Sequence, residues 1–184
     1  MKPATHKMTY EEYCLVPDDG MQLEVIDGEL IRTPSPPPRH QEILGTLATV
    51  LFNHVEAKEL GEVYIGPLDT ILDQFNVVRP DILFICKERL GAIAKEWILG
   101  PPDIVVEILA RTTVDKDRRR KMAVYSEFGV PEYWIVDPET KTIELYCRGQ
   151  EGKGGLELLR RFAAGETFES RLLSDFRIEV SSIF

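Results

Sequence analysis

The segment PPDIVVEILA, residues 101–110, constrains the chain more than any other, because an apolar run of this kind belongs inside a sheet and yet carries Glu107. A second run, VVRPDILFI over residues 77–85, repeats the conflict with Asp81 directly after Pro80. An ionised carboxylate in a low-dielectric interior is strongly disfavoured or takes up a proton, and buried acids are almost always paired. Burial of both runs therefore demands a cationic partner for the two acids. If Asp81 begins one strand and Glu107 lies near the end of a neighbour, the pair converges at one edge of the sheet. That geometry suits a hard divalent cation such as Mg²⁺, which prefers oxygen ligands and takes one or two protein carboxylates alongside water and substrate phosphate. The plainer alternative is that either acid faces solvent or answers Arg79 or Arg111. An aspartate after proline at a strand start is ordinary, whereas Glu107 among Ile104, Val105, Val106, Ile108 and Leu109 fits that alternative less well.

The surrounding pattern predicts the scaffold. Thr9-Tyr10-Glu11-Glu12 is a capping box that opens a short helix, ended by the turn residues 17–20. Leu23–Ile26 and Glu29–Thr33 flank Asp27-Gly28, the dipeptide suited to a type I′ hairpin turn. The prolines from Pro34 to Pro38 force an extended or turned path. A long helix from about Arg39 to Lys58 follows, with Ile43, Leu44, Leu47, Val50, Leu51 and Val55 at three- and four-residue steps. After Gly61 the period shifts to that of strands, at Glu62–Ile65, Asp69–Leu72, Val77–Val78, Asp81–Cys86 and Ile104–Leu109. Residues 87–100 read as a loop with partly helical character. A second helix spans Asp115–Phe128, followed by strands at Tyr133–Asp137, Thr142–Arg148 and Leu156–Phe162. This order predicts an α/β chain of the α+β kind, a mixed sheet flanked by helices. Three successive strands without intervening helices point to an antiparallel meander rather than a doubly wound sheet.

The second helix offers the cation. Lys121, Val124, Tyr125 and Phe128 fall at i, i+3, i+4 and i+7, so Lys121 shares the apolar stripe, whereas Lys116, Arg119 and Arg120 point elsewhere. Its ammonium either reaches Asp81 and Glu107, or pairs with Asp117 one turn earlier and snorkels along the stripe. Glu24 in QLEVIDG either joins the site or alternates to the wet face of its strand. His40, at the start of the long helix, either joins the site or makes a structural hydrogen bond. Spacing alone favours the second option for both.

Composition narrows the function. At 184 residues the chain suits one domain, residues 1–184, with a core large enough to need no disulfide. Cys14, Cys86 and Cys147 match neither a disulfide framework nor a zinc pattern, and no apolar run approaches the roughly 20 residues of a membrane span. A cytoplasmic protein without membrane attachment is expected. With 31 acidic and 22 basic side chains the net charge is -9, which opposes constitutive coating of DNA but permits transient, local contact through bound cations.

Taken together, these residues resemble the PD-(D/E)XK nuclease superfamily, with Pro80-Asp81 as the PD and Glu107 as the following acid. More closely, MTYEEY, LEVIDGEL, PSPPPRHQ, VRPDILFI, PPDIVVEILA and KMAVYSEFGVPEYWIVDP are similar to the Uma-type family of restriction endonucleases. The resemblance implies a restriction endonuclease-like fold and metal-dependent phosphodiester cleavage. It implies Asp81 and Glu107 as ligands of Mg²⁺ or Mn²⁺, with Glu24 and His40 lining the site. One departure stands out. The lysine two positions after the acid is replaced by Leu109, and the resemblance implies that Lys121 supplies the ammonium from the helix.

The expected activity is that of a metal-dependent endonuclease acting on DNA, with Asp81, Glu107, Lys121, Glu24 and His40 as its catalytic set. A non-catalytic binding or assembly module on the same fold is the first alternative, favoured by the acidic charge and by Leu109. A metal-dependent phosphodiesterase acting on RNA or nucleotides is the second. The apolar C-terminal strands could support a homodimer.

Overall fold

A computed structural model describes residues 6–93, 97–149 and 154–184. Two sheets carry the fold. The first has the order β2-β1-β5-β4-β7, from Glu29–Thr33, Gln22–Ile26, Asn76–Val78, Thr70–Asp73 and Ile98–Leu99. The second, central sheet has the order β11-β10-β9-β8-β6-β3, from Leu156–Ala163, Thr142–Arg148, Glu132–Asp137, Ile104–Ile108, Ile82–Cys86 and Gly61–Ile65. A small pair, β12 (Thr167–Glu169) and β13 (Arg177–Glu179), completes the C-terminal region. Helix α1 spans Tyr10–Tyr13, and the predicted capping box at Thr9 and Glu12 is formed. Helix α2 spans Pro38–Ala57, α3 spans Leu90–Ile93, and α4 spans Met122–Glu127.

Alternation along β8 divides the core. Ile104, Val106 and Ile108 join the apolar face of α2, built from Ile43, Leu47 and Leu51, whereas Val105 packs with Val124 and Tyr125 of α4. Glu107 shares the α4 side. Strands β8 and β9 run parallel, joined by the helical crossover that contains α4, and β6 runs antiparallel to β8 with Ile82 opposite Val106. The β1–β2 hairpin turns as its sequence predicts, with Asp27 and Gly28 at φ 55° and 78°.

The expected meander does not form. β3 pairs with β6, while β4 and β5 leave the central sheet and build onto β1. Pro67 and Pro80 stand where the chain exits and re-enters the central sheet, and proline cannot donate to an interior ladder. The two crossings lie against each other, with Gly66 N–H donating to the Asp81 carbonyl at 2.9 Å.

The segment expected as loop over residues 87–100 contains a 3₁₀ turn at Lys87–Arg89, then α3, and then β7, which pairs in parallel with β4. Residues 94–96 of that segment lie outside the described residues. Towards the C-terminus, Phe168, Phe176, Ile178, Val180 and Ile183 are buried in the chain's own core, with the Phe168 ring 4.6 Å from that of Trp134. The apolar character of β12 and β13 is thus used internally. Cys14, Cys86 and Cys147 are free thiols, and among the described residues no helix is long and apolar enough to cross a membrane.

The close crossing at Gly66 carries a test. A Cβ there would sit 2.4 Å from the Pro80 carbonyl oxygen, a clash against backbone that only a shift of the Pro80-Asp81 segment relieves. Gly66→Ala is expected to lower unfolding stability by about 1–3 kcal/mol, measured by chemical denaturation.

Candidate active site

The antiparallel pairing of β6 and β8 places Asp81, one residue ahead of β6, beside Glu107. Asp81 Oδ2 accepts the Ile108 N–H at 2.7 Å and lies 3.1 Å from His40 Nε2 at the start of α2. Neither Arg79 nor Arg111 answers Asp81. Arg79 pairs with Asp69 at 2.6 Å and Arg111 with Glu139 at 3.2 Å.

Lys121 is the hub. Its Nζ lies 2.8 Å from Glu107 Oε1, 2.7 Å from Glu24 Oε1 and 3.8 Å from Asp117 Oδ1. The side chain is only 2% exposed, so it does not snorkel to water. The two partners weighed for it from spacing, the Glu107 site and Asp117, both lie around the same ammonium. Tyr125 OH donates a second hydrogen bond to Glu107 Oε1 at 2.8 Å. Glu24 is buried rather than on a wet face. It accepts from Arg79 N–H at 2.8 Å and from Lys116 Nζ at 2.5 Å, and Lys116 also donates to Thr33 Oγ1 at 3.2 Å.

Lys116 is the residue the helical period misplaced. Residues 116–121 form a π-helical turn that runs directly into α4. In a π-helix the hydrogen bond runs i→i+5, so positions five apart align, and Lys116 and Lys121 both reach the carboxylates. A period of 3.6 residues sets Lys116 well off the Lys121 stripe. The spacing of five between the two lysines is the one signal in the sequence, and it reads as coincidence until the turn is known to be widened. Tyr125 was expected on the inner face as an apolar residue; its phenol joins the site as a donor.

The charges are unevenly matched. Burial acts to raise the Glu24 carboxyl, but Lys121 and Lys116 outweigh it and hold the group down at about 2. Burial also pushes Glu107 well above its ordinary range; Lys121 opposes this, while Asp117, Asp81 and Glu24 add to it. Asp117 is raised as well, by burial that Lys121 and Lys116 only partly offset. Burial acts to lower Lys121, yet Glu107, Glu24 and Asp117 together keep it protonated far beyond neutral pH. Two ammonium groups, the buried Lys121 and the partly buried Lys116, thus serve four clustered acids, and the shortfall falls on Glu107 and Asp117.

These residues suit a hard cation. The hydrogen bonds to Asp81 and Glu107 fall on Oδ2 and Oε1, and both residues line a small polar cavity of about 40 Å³. Among the described residues no three acidic, histidine or cysteine side chains are close enough to cage an ion alone. A cation here draws its remaining ligands from backbone, water and substrate, which is the habit of Mg²⁺.

Comparison with known proteins bears on the fold and the family. A crystal structure described as a "putative nuclease belonging to DUF820" from Anabaena variabilis ATCC 29413 superimposes with a TM-score of 0.78. The match covers 96% of this chain and 97% of that one, at 18% identity, and shows a shared fold. No curated protein matches the sequence. The family Uma2, described as "Putative restriction endonuclease", matches residues 9–181, which include every residue of the cluster, and the chain therefore belongs to the Uma2 family, on a restriction endonuclease-like fold.

Proposed function

We propose that the protein is a metal-dependent endonuclease that hydrolyses phosphodiester bonds of DNA. The observation that supports this reading is the meeting of Asp81 and Glu107, from two sheet strands, beside the buried Lys121 ammonium. Bound Mg²⁺ or Mn²⁺ supplies a water of lowered pKa and neutralises charge on the scissile phosphate. Asp81 and Glu107 would hold it. The Ile108 amide and His40 fix the Asp81 carboxylate in place. Tyr125 and Lys121 orient Glu107. Lys121 also directs positive charge toward the pocket, where it stabilises the phosphoryl oxygens as their charge grows. Glu24 keeps Lys121 in position from the opposite sheet, and Lys116 balances Glu24.

One observation favours a second reading, a non-catalytic module in which the cluster only specifies the core. Glu107 already contacts Lys121 at 2.8 Å. Calorimetric titration with Mg²⁺ separates the two, since the module predicts no binding heat.

The nuclease reading makes two predictions. Asp81→Ala and Glu107→Ala should each reduce Mn²⁺-supported cleavage of DNA by about 10²-fold or more, measured by gel assay, whereas parent-like cutting by either variant removes the reading. The second concerns stability. The folded pKa of Glu107 lies above its ordinary value of 4.5, so its contribution is fully present below that value and is lost as pH rises through the raised one. Without metal at neutral pH, Glu107→Gln should therefore stabilise the fold by on the order of 1 kcal/mol, a gain that disappears below about pH 4.5. Lys121 retains Glu24 in that variant. Added Mg²⁺ should raise the melting temperature of the parent more than that of Glu107→Gln.

A further inference from the structure

Beside the small carboxylate pocket lies a second cavity of about 410 Å³. The two share Pro34, Ser35, Pro37, Ala110 and Thr112 among their lining residues, so the larger space adjoins the one at Asp81 and Glu107. The larger cavity is floored by Leu109 and walled by Pro34, Pro37 and Pro138, with Arg39 and Arg111 among its lining residues. Leu109 stands two positions after Glu107, where resemblance to the superfamily leads one to expect lysine. With the ammonium supplied from the helix, that position is free to present an apolar surface.

We infer that this cavity receives a single unpaired nucleobase next to the scissile phosphate, so that the preferred substrate is single-stranded or extrahelical DNA. The inference rests on the nuclease reading and deepens it. The volume falls within the range of small-ligand pockets of about 300–1,000 Å³. A base paired and stacked in a duplex cannot enter a walled pocket, because its faces are covered and its edge is engaged; it has to leave the stack and find apolar faces in exchange. Pro34, Pro37 and Pro138 offer such faces. The rim supplies the matching charge. Among the described residues Arg39 and Arg111 pair with the exposed Glu42 and Glu139, and exposed ion pairs are weak enough to yield to a phosphate. The net charge of -9 adds to this, since it gives little hold on the continuous phosphate track of a duplex.

The test uses the full chain with Mn²⁺ and three DNA substrates, namely a single strand, a perfect duplex, and the same duplex with one bulged nucleotide. The single strand and the bulge should be cut about tenfold or more faster than the duplex, in line with the energy of one stacked base. Pro138→Trp fills the larger cavity without altering the lining of the carboxylate pocket, and should erase the preference while leaving slow duplex cutting intact. Equal rates on all substrates, or a preference that survives Pro138→Trp, overturns the inference. Failure to cut any substrate counts instead against the nuclease reading, and a binding measurement then decides the pocket. In Ca²⁺, a single strand carrying 2-aminopurine should change fluorescence on binding the parent, and Arg111→Glu and Pro138→Trp should each weaken that signal. An unchanged signal with the parent, or parent-like signals from both variants, overturns it.

Discussion

The ion pairs of Lys121 hold the architecture together. One ammonium, 2% exposed, joins Glu24 on β1 of the first sheet to Glu107 on β8 of the second, and it projects from the helical crossover between them. Removing water from these groups is costly, and attraction repays the cost only while every partner is present. Loss of the ammonium leaves two buried acids without it at once, one in each sheet. The residues of that contact on the second sheet and the helix, Glu107 and Lys121, also line the carboxylate pocket, so the fold and the pocket draw on one group.

That economy leaves a residue of tension. Lys116 and Lys121 satisfy Glu24, but Glu107 and Asp117 remain raised by burial, and Asp117 Oδ1 and His40 Nδ1 are buried without hydrogen-bond partners among the described residues. Buried polar groups in folded proteins are nearly always satisfied, and exceptions gather where a site is built for something further. A cation at Asp81 and Glu107 would relieve the excess negative charge. Elsewhere the buried acids have hydrogen bonds to both carboxylate oxygens, although burial still raises Glu132. Glu132 accepts from Trp134, Ser170 and the Arg171 and Leu172 amides, and Glu144 is paired by Arg118 and Arg161, the latter through both Nε and Nη2.

Much of this was legible in the residues. Runs with a clear period, such as Ile43 to Val55 in α2 and Ile104 to Ile108 in β8, marked their elements within a residue or two, and Asp27-Gly28 marked the hairpin. Glu107 announced itself because an acid within an apolar run has few comfortable destinations. Pairing between distant strands was less legible. β4 and β5 join β1 rather than β3, a choice set by where Pro67 and Pro80 stand and by which apolar faces meet. Glu24 and His40 were ambiguous for the same reason. Alternation along β1 says which residues share a face, not that the other face will be covered by a helix. The β12–β13 pair, three residues to a strand, is too short for any period to show.

The π-helical turn at Lys116–Lys121 has one more consequence. A wider turn accommodates about one residue more than an α-helical turn. The segment can therefore be regarded as a one-residue insertion that the fold has kept rather than expelled into a loop. Without that widening, a spacing of five on an α-helix would splay Lys116 and Lys121 by about 140°, and only one of them could look toward the sheets. The local width of the backbone coil thus sets how many ammonium groups the acidic cluster receives.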